Sequence, residues 1–290
     1  MNSQTYTLSF IFTTSSIFVN LGSTRNLYFE TIKKRKMEFL SELKFRSPEL
    51  FWFGLVCLLL AFGLMLVSRF DSVQFLGISA YIKPIKFSLS TTLYAWTMAW
   101  FCFYLPQFNM KPFVWSTIIL LGFEILYILV QAAKGQASHF NLSTPFYAVM
   151  YSLMALAASL VTIYTAYICL LFFKEPLPQL PDYYIWGIRL GLLIFVIFSF
   201  QGFAMGSRLT HTIGAVDGGK GILFFNWSIT AGDLRIAHFI GMHALQVIPI
   251  IAFYVLKNTK ATFGLAAVYA LVAFLSWCMA MRGKSPFGGL

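Results

Sequence analysis

Residues 233 to 246 read Asp-Leu-Arg-Ile-Ala-His-Phe-Ile-Gly-Met-His-Ala-Leu-Gln and open an apolar stretch that continues to about Leu256. An acid, an arginine, two histidines and a glutamine are costly to bury at that density, so inside a membrane-type segment they mark a functional site by default. On a helix, 100° per residue places Arg235, His238, His243 and Gln246 within an arc of about 140°. Asp233 falls outside the arc and suits an N-cap, where a carboxylate meets free N–H groups and the helix dipole. His238 and His243 are spaced i, i+5, about 7.5 Å apart along the axis and about 140° around it, which is poor geometry for chelating one ion. A divalent metal would need His211 or His139 as further ligands, and haem would need an opposing axial histidine from a second helix. Proton transfer and plain hydrogen bonding to neighbouring helices are the other roles open to these side chains. Pro249 removes one N–H and frees the Leu245 carbonyl, which predicts a kink beside Gln246.

Chemistry-bearing residues elsewhere are few. Glu124, Tyr127, Gln131, Lys134 and Ser138 recur every three or four residues and form a polar helix face. A lone carboxylate at Glu124 would be neutralised or very costly, so Lys134 or His243 is the expected partner. Lys83 and Lys86 flank Pro84 and suit either interfacial snorkelling or anion binding. With Lys134, Arg208 and Arg235 they would give one face a phosphate or carboxylate site, which a lipid head group would also satisfy. Gln201 lies near the end of the same set, and His139 and His211 sit in the adjoining loops. The 214–221 loop almost matches a P-loop, but Gly221 stands where Ser or Thr is required and no strand precedes it, so nucleotide hydrolysis is excluded.

The elements that position these groups are set by composition. The chain has 290 residues, 59% hydrophobic and 11% charged, with a mean hydropathy of +0.75, which is the signature of an integral membrane protein. The net charge of +11 is ordinary for that class, and no soluble basic face suggests nucleic acid. Seven spans are expected, at about 50–68, 86–105, 113–134, 146–173, 184–207, 234–256 and 262–281, each near the 20 residues that cross the hydrocarbon. The fold class is therefore all-α and polytopic, because backbone polar groups in lipid must be paired within a helix. Residues 1–36 form an extension that is disordered or precedes the true start at Met37, leaving 37–290 as the seven-helix domain. Cys57, Cys102, Cys169 and Cys278 fall singly in separate apolar segments and read as small hydrophobes.

With the N-terminal face called side A, the long joins and nearly all of the polar and charged candidates gather towards side B. Lys and Arg are nearly balanced between the two faces, so the positive-inside rule gives only a lean towards side A as cytoplasmic. Three pairs of segments recur in order at equivalent span ends: 63–70 with 202–209, 83–87 with 235–239, and 133–140 with 281–287. They suggest a duplicated three-helix unit joined by the fourth span, the 3+1+3 parallel repeat of some transporters. Arg235 and His238 then become counterparts of Lys83 and Lys86, and half of the site should come from the second span.

The segments Lys-Pro-Ile-Lys-Phe, Ala-Lys-Gly-Gln-Ala-Ser-His-Phe-Asn, His-Thr-Ile-Gly-Ala-Val-Asp-Gly-Gly and Gly-Asp-Leu-Arg-Ile-Ala-His-Phe-Ile-Gly-Met-His-Ala-Leu-Gln resemble those of an uncharacterised group of bacterial multi-pass membrane proteins. The resemblance runs from about residue 45 to the end and implies residence in a bacterial cytoplasmic membrane. It brings no activity with it.

The function expected is binding or transport of a small anionic or amphiphilic ligand at a cation- and histidine-lined cavity on side B, with Glu124 and the histidines coupling protons. The alternatives are a metal-dependent membrane enzyme of lipid-hydrolase type, with His211, His238 and His139 as ligands, a haem-binding membrane protein, and an assembly role. Membrane lipid is the expected surrounding partner, and neither nucleic acid nor nucleotide is expected.

Overall fold

The structure, a computed structural model, describes residues 39–288, so the expected N-terminal extension lies outside the described residues. A short α1 (Phe39–Arg46) precedes α2 (Pro48–Val67), α3 (Ile82–Cys102), α4 (Met110–Ala133), α5 (Pro145–Lys174) and α6 (Asp182–Gln201). A one-turn α7 (Phe203–Gly206) follows, then α8 (Leu234–Ile251) with a π-helical turn at Ala252–Leu256, and α9 (Thr259–Met281). Two small antiparallel ladders sit in the joins before α3 and before α8: β1 (Gln74–Phe75) with β2 (Ile78–Ser79), and β3 (Thr212–Ile213) with β4 (Gly232–Asp233).

Six of these helical segments are long and apolar enough to cross a membrane: α2, α4, α5, α6 run on through α7, α8 with its π turn, and α9. The molecule is a multi-pass membrane protein on that basis. The second expected span, α3, is 21 residues long but is not among the six. Lys83, Lys86 and five Ser or Thr residues, Ser88, Ser90, Thr91, Thr92 and Thr97, make it the most polar of the long helices. The cysteines are free, three of them buried and Cys278 partly so.

The helix starts follow from local sequence. Ser47, Asn109, Thr144, Asp233 and Asn258 each accept a hydrogen bond from a backbone N–H in the first turn they precede, and Pro48 and Pro145 occupy first-turn positions where no donor is lost. Pro249 lies inside α8, and the regular helix gives way to the π turn three residues later. Lys257 closes that turn in the left-handed region, at φ 46°.

Helices α2, α3 and α4 pack on one another, as do α6, α8 and α9, and α5 touches α4 and α6. Each group has its own core. Leu64, Tyr81, Ile85 and Ala132 centre the first, while Ile194, Phe198, Ala237, Ala244, Ile248, Ala266 and Ala273 centre the second. Lipid tails are as apolar as leucine, so helices in a bilayer associate through close packing, which small residues permit. The α6–α8 seam uses that device: a Cβ on Gly191 would sit 2.8 Å from the Ala244 carbonyl oxygen, and one on Gly187 would sit 3.0 Å from Pro249.

Gly191→Val should therefore lower thermal stability in detergent by an amount corresponding to about 1–3 kcal/mol of overpacking. Gly63→Val, where an added Cβ meets nothing within 4 Å, should change it little. Equal melting shifts for the two variants would contradict the close-packed seam.

Candidate functional site

The side-B site is built around Asp233. It is fully buried, caps α8 through the Arg235 amide at 3.0 Å, and accepts the Ser228 amide at 2.9 Å. Arg235 folds back on it as a fork, with Nε 2.9 Å from Oδ1 and a terminal nitrogen 2.6 Å from Oδ2. The same guanidinium donates to the Asn226 carbonyl. One residue away, the Phe225 carbonyl accepts from Lys86 Nζ at 3.0 Å. Cations from α3 and α8 thus hold neighbouring carbonyls of one loop, whose rings Phe225 and Trp227 stack at 4.4 Å and pack on Phe239.

Lys83 is the third cation of the group. Its Nζ lies 3.0 Å from His139 Nδ1, and Ser138 Oγ lies 3.2 Å from the same nitrogen. The charges of Lys86 and Arg235 are close enough to repel Lys83, and that of Glu124 close enough to attract it. Burial and the Lys83 charge hold His139 well below the usual histidine range. A neutral His139 presents Nδ1 as an acceptor to the ammonium, which fits the short contact. His211 is likewise pushed down, to about 4, by burial and by Arg235, against the opposing pull of Asp217 and Asp233. Its Nδ1 lies 3.0 Å from Asp217 Oδ1. Burial works against the charge of Asp217, but hydrogen bonds from Thr212 and Thr210 and the nearby His211 hold its carboxyl below the usual carboxylate range.

The charge balance is the notable property of this cluster. Three cations lie within electrostatic range of one another, yet among the described residues only Arg235 of the three is ion-paired. Lys83 and Lys86 use neutral acceptors, an imidazole nitrogen and a peptide carbonyl. Both histidines nearest them are kept neutral.

Some expected members stand apart. Lys134 and Arg208 are exposed. Lys134 is the C-cap of α4, and Arg208 turns back to the Ala204 carbonyl, so neither joins the cationic group, because the helix ends point them outwards. Lys134 and His243 are likewise not the partners of Glu124. His243 turns to Gln246, 3.3 Å from its Oε1, and Gln246 Nε2 donates to Thr97 of α3 at 3.2 Å. Glu124 is buried with Oε1 unpaired, and the cation it feels is Lys83. Gln131 is structural, donating to the Ala137 carbonyl that shapes the loop before His139. Both amide atoms of Gln201 are buried without a partner.

The metal set does not assemble. His238 is bonded through Nδ1 to the Phe198 carbonyl of α6 at 2.7 Å, His139 to Lys83 and His211 to Asp217. Among the described residues no three His, Cys, Asp or Glu side chains are grouped to hold a metal ion. The sequence reading missed the role of the 225–228 segment, because peptide carbonyls and amides leave no trace in residue type. Its one signal was the pair of aromatics at Phe225 and Trp227.

The low position of His211 has a consequence for stability. An unfolded chain takes up this proton near pH 6.5 and the folded chain only near pH 4, so the folded state is fully favoured above about 6.5 and loses stability as pH falls towards 4. At about 1.4 kcal/mol per pH unit the loss is at most about 3 kcal/mol. His211→Gln should flatten part of the fall in melting temperature between pH 6.5 and 4, and an unchanged slope would rule out this contribution. Asp233→Ala, which strands Arg235, should cost about 3–5 kcal/mol, read as loss of the detergent-stable fraction. The chain matches no family model, no curated protein and no solved structure.

Proposed function

We propose that this membrane protein binds, and by way of a repeated three-helix plan transports, a small anion or the anionic head of an amphiphile at the Lys83–Lys86–Arg235 cluster. One observation carries the proposal: in this half-buried cluster positive charge exceeds the carboxylate charge paired with it. Taking charge out of water is expensive unless it is paired, and an anion entering beside Lys83 and Lys86 would supply the missing pairing. The stacked Phe225 and Trp227 and the exposed Leu223 and Val216 of the covering loop suit a ligand with an apolar part.

Three features support the repeat and the seventh span. Helices α2, α3 and α4 pack on one another and so do α6, α8 and α9, with α5 packed on both α4 and α6. The side-B joins before α3 and before α8 each carry a two-stranded antiparallel ladder. The two helices that follow these ladders each send cations to the same loop. At 1.5 Å per residue α3 is about 31 Å long, enough to cross the hydrocarbon, and its lysines lie at its side-B end. Residence in a bacterial cytoplasmic membrane rests on the segment resemblance alone. Glu124, buried beside Lys83, is the carboxyl group that would exchange a proton as an anion arrives or leaves.

The test is ligand-dependent stabilisation of the purified protein, with inorganic phosphate, a short-chain carboxylate and an anionic lipid as probes at constant ionic strength. At least one probe should raise the melting temperature saturably. Lys83→Gln and Lys86→Gln should weaken that effect about tenfold or more, while Lys134→Gln and Arg208→Gln should leave it intact. If all four variants respond alike, the cluster is not the site. Proton coupling fails separately if Glu124→Gln leaves the pH dependence of binding unchanged.

A further inference from the structure

A cleft of about 410 Å³ opens on side A, away from the cationic cluster, between the α3–α4 turn and the second half of α5. Tyr164, Tyr167, Leu171 and Glu175 recur every three or four residues, so α5 and its C-cap present them on one face. Phe108 from the turn closes the other wall. The rings of Phe108, Tyr164 and Tyr167 form a triangle with centroids 6.4, 6.2 and 6.3 Å apart, and their planes are inclined by 54° to 81°. They make a corner of faces and edges rather than a stack. Tyr164 is braced from behind by Phe113 at 5.1 Å.

Glu175 stands at the end of the stripe. Its Oε2 is shielded from solvent and has no hydrogen-bond partner, and no ion pair among the described residues includes it. Burial raises its carboxyl above the usual range, so the ionised form gains from any cation that reaches it. Ring faces carry the negative lobe of the aromatic quadrupole and attract cations to within about 6 Å. Carboxylate and rings therefore favour the same charge. A hard metal ion would ask for several oxygen ligands, carboxylates above all, whereas this cleft offers one free carboxylate, the side-chain amides of Gln107 and Asn109, and otherwise rings, Pro112 and Leu171, which suit a cation that is itself partly apolar.

We propose that the side-A cleft binds an organic ammonium ion of the quaternary or methylated-amine type, with Glu175 as counter-ion and Phe108, Tyr164 and Tyr167 as its aromatic walls. The cleft lies where α3 and α5 end, at the boundary of the membrane-crossing segments. The ammonium could therefore belong to a lipid head group or to a free solute. Its volume falls within the range of small-ligand sites. Nothing in the proposal depends on the side-B reading.

The experiment is a titration of the full-length protein in phosphatidylglycerol nanodiscs, followed by ligand-observed magnetic resonance, with choline chloride as the probe. Its uncharged carbon isostere 3,3-dimethylbutan-1-ol is the control. Choline should bind saturably and the isostere at least about tenfold more weakly. Glu175→Gln and Tyr167→Ala should each weaken choline by about three- to thirtyfold, and Tyr167→Phe should restore it, since the ring and not the hydroxyl is used. Tyr167 is 49% exposed, so these variants should keep their melting temperatures. Absence of saturable choline binding, equal binding of the isostere, or wild-type affinity in both weakening variants would each overturn the proposal. A repeat in phosphatidylcholine nanodiscs identifies the source: loss of free choline binding there assigns the cleft to a lipid head group, and its persistence assigns it to a soluble amine.

Discussion

The Asp233 carboxylate is the constraint on which the side-B face depends. One buried group caps α8, takes the Ser228 amide and receives both ends of the Arg235 fork. A buried carboxylate is tolerable only when its acceptor positions are filled, and filling them fixes the loop to the helix start. Arg235, oriented by that pairing, then reaches the Asn226 carbonyl, beside the Phe225 carbonyl held by Lys86. The loop is thus fastened to both α3 and α8 at adjacent peptide units.

Around this anchor the electrostatics run one way. Histidines close to lysine and arginine resist taking up a further charge, so His139 and His211 act as neutral acceptors or donors rather than as extra cations. Asp217 is held ionised by Thr210, Thr212 and His211 at the start of the ladder. What remains towards α3 is positive and incompletely paired. The cleft between the α3–α4 turn and α5 has the opposite character, with aromatic rings and a carboxylate oxygen lacking a partner among the described residues.

Much of the frame was legible in the residues. Spans of about 20 apolar residues announce themselves because lipid forbids unpaired backbone, and the observed helices lie within a few residues of the expected limits at α2, α4, α5, α8 and α9. Asp233 as a cap, the break after Pro249 and the divergence of His238 and His243 are short-range consequences of helix geometry. The i, i+5 spacing in particular sends one imidazole to the Phe198 carbonyl and the other to Gln246. The polarity of α3, the expected second span, was visible in the residues as well.

Partner choice was settled only by the tertiary structure. Lys83 meets His139 across 56 residues and Lys86 meets Phe225 across 139, and no residue pattern encodes such separations. Which cations converge depends on how each helix is rotated about its axis and where each loop returns, so Lys134 and Arg208 drop out while Lys83, Lys86 and Arg235 stay. The Gly191–Ala244 approach that sets the α6–α8 seam is of the same kind. Composition and periodicity determined a helical membrane protein with a polar opening to α8. The distribution of charge within it was decided by packing, because electrostatic energy depends on distances in space and the chain order fixes only distances along a helix.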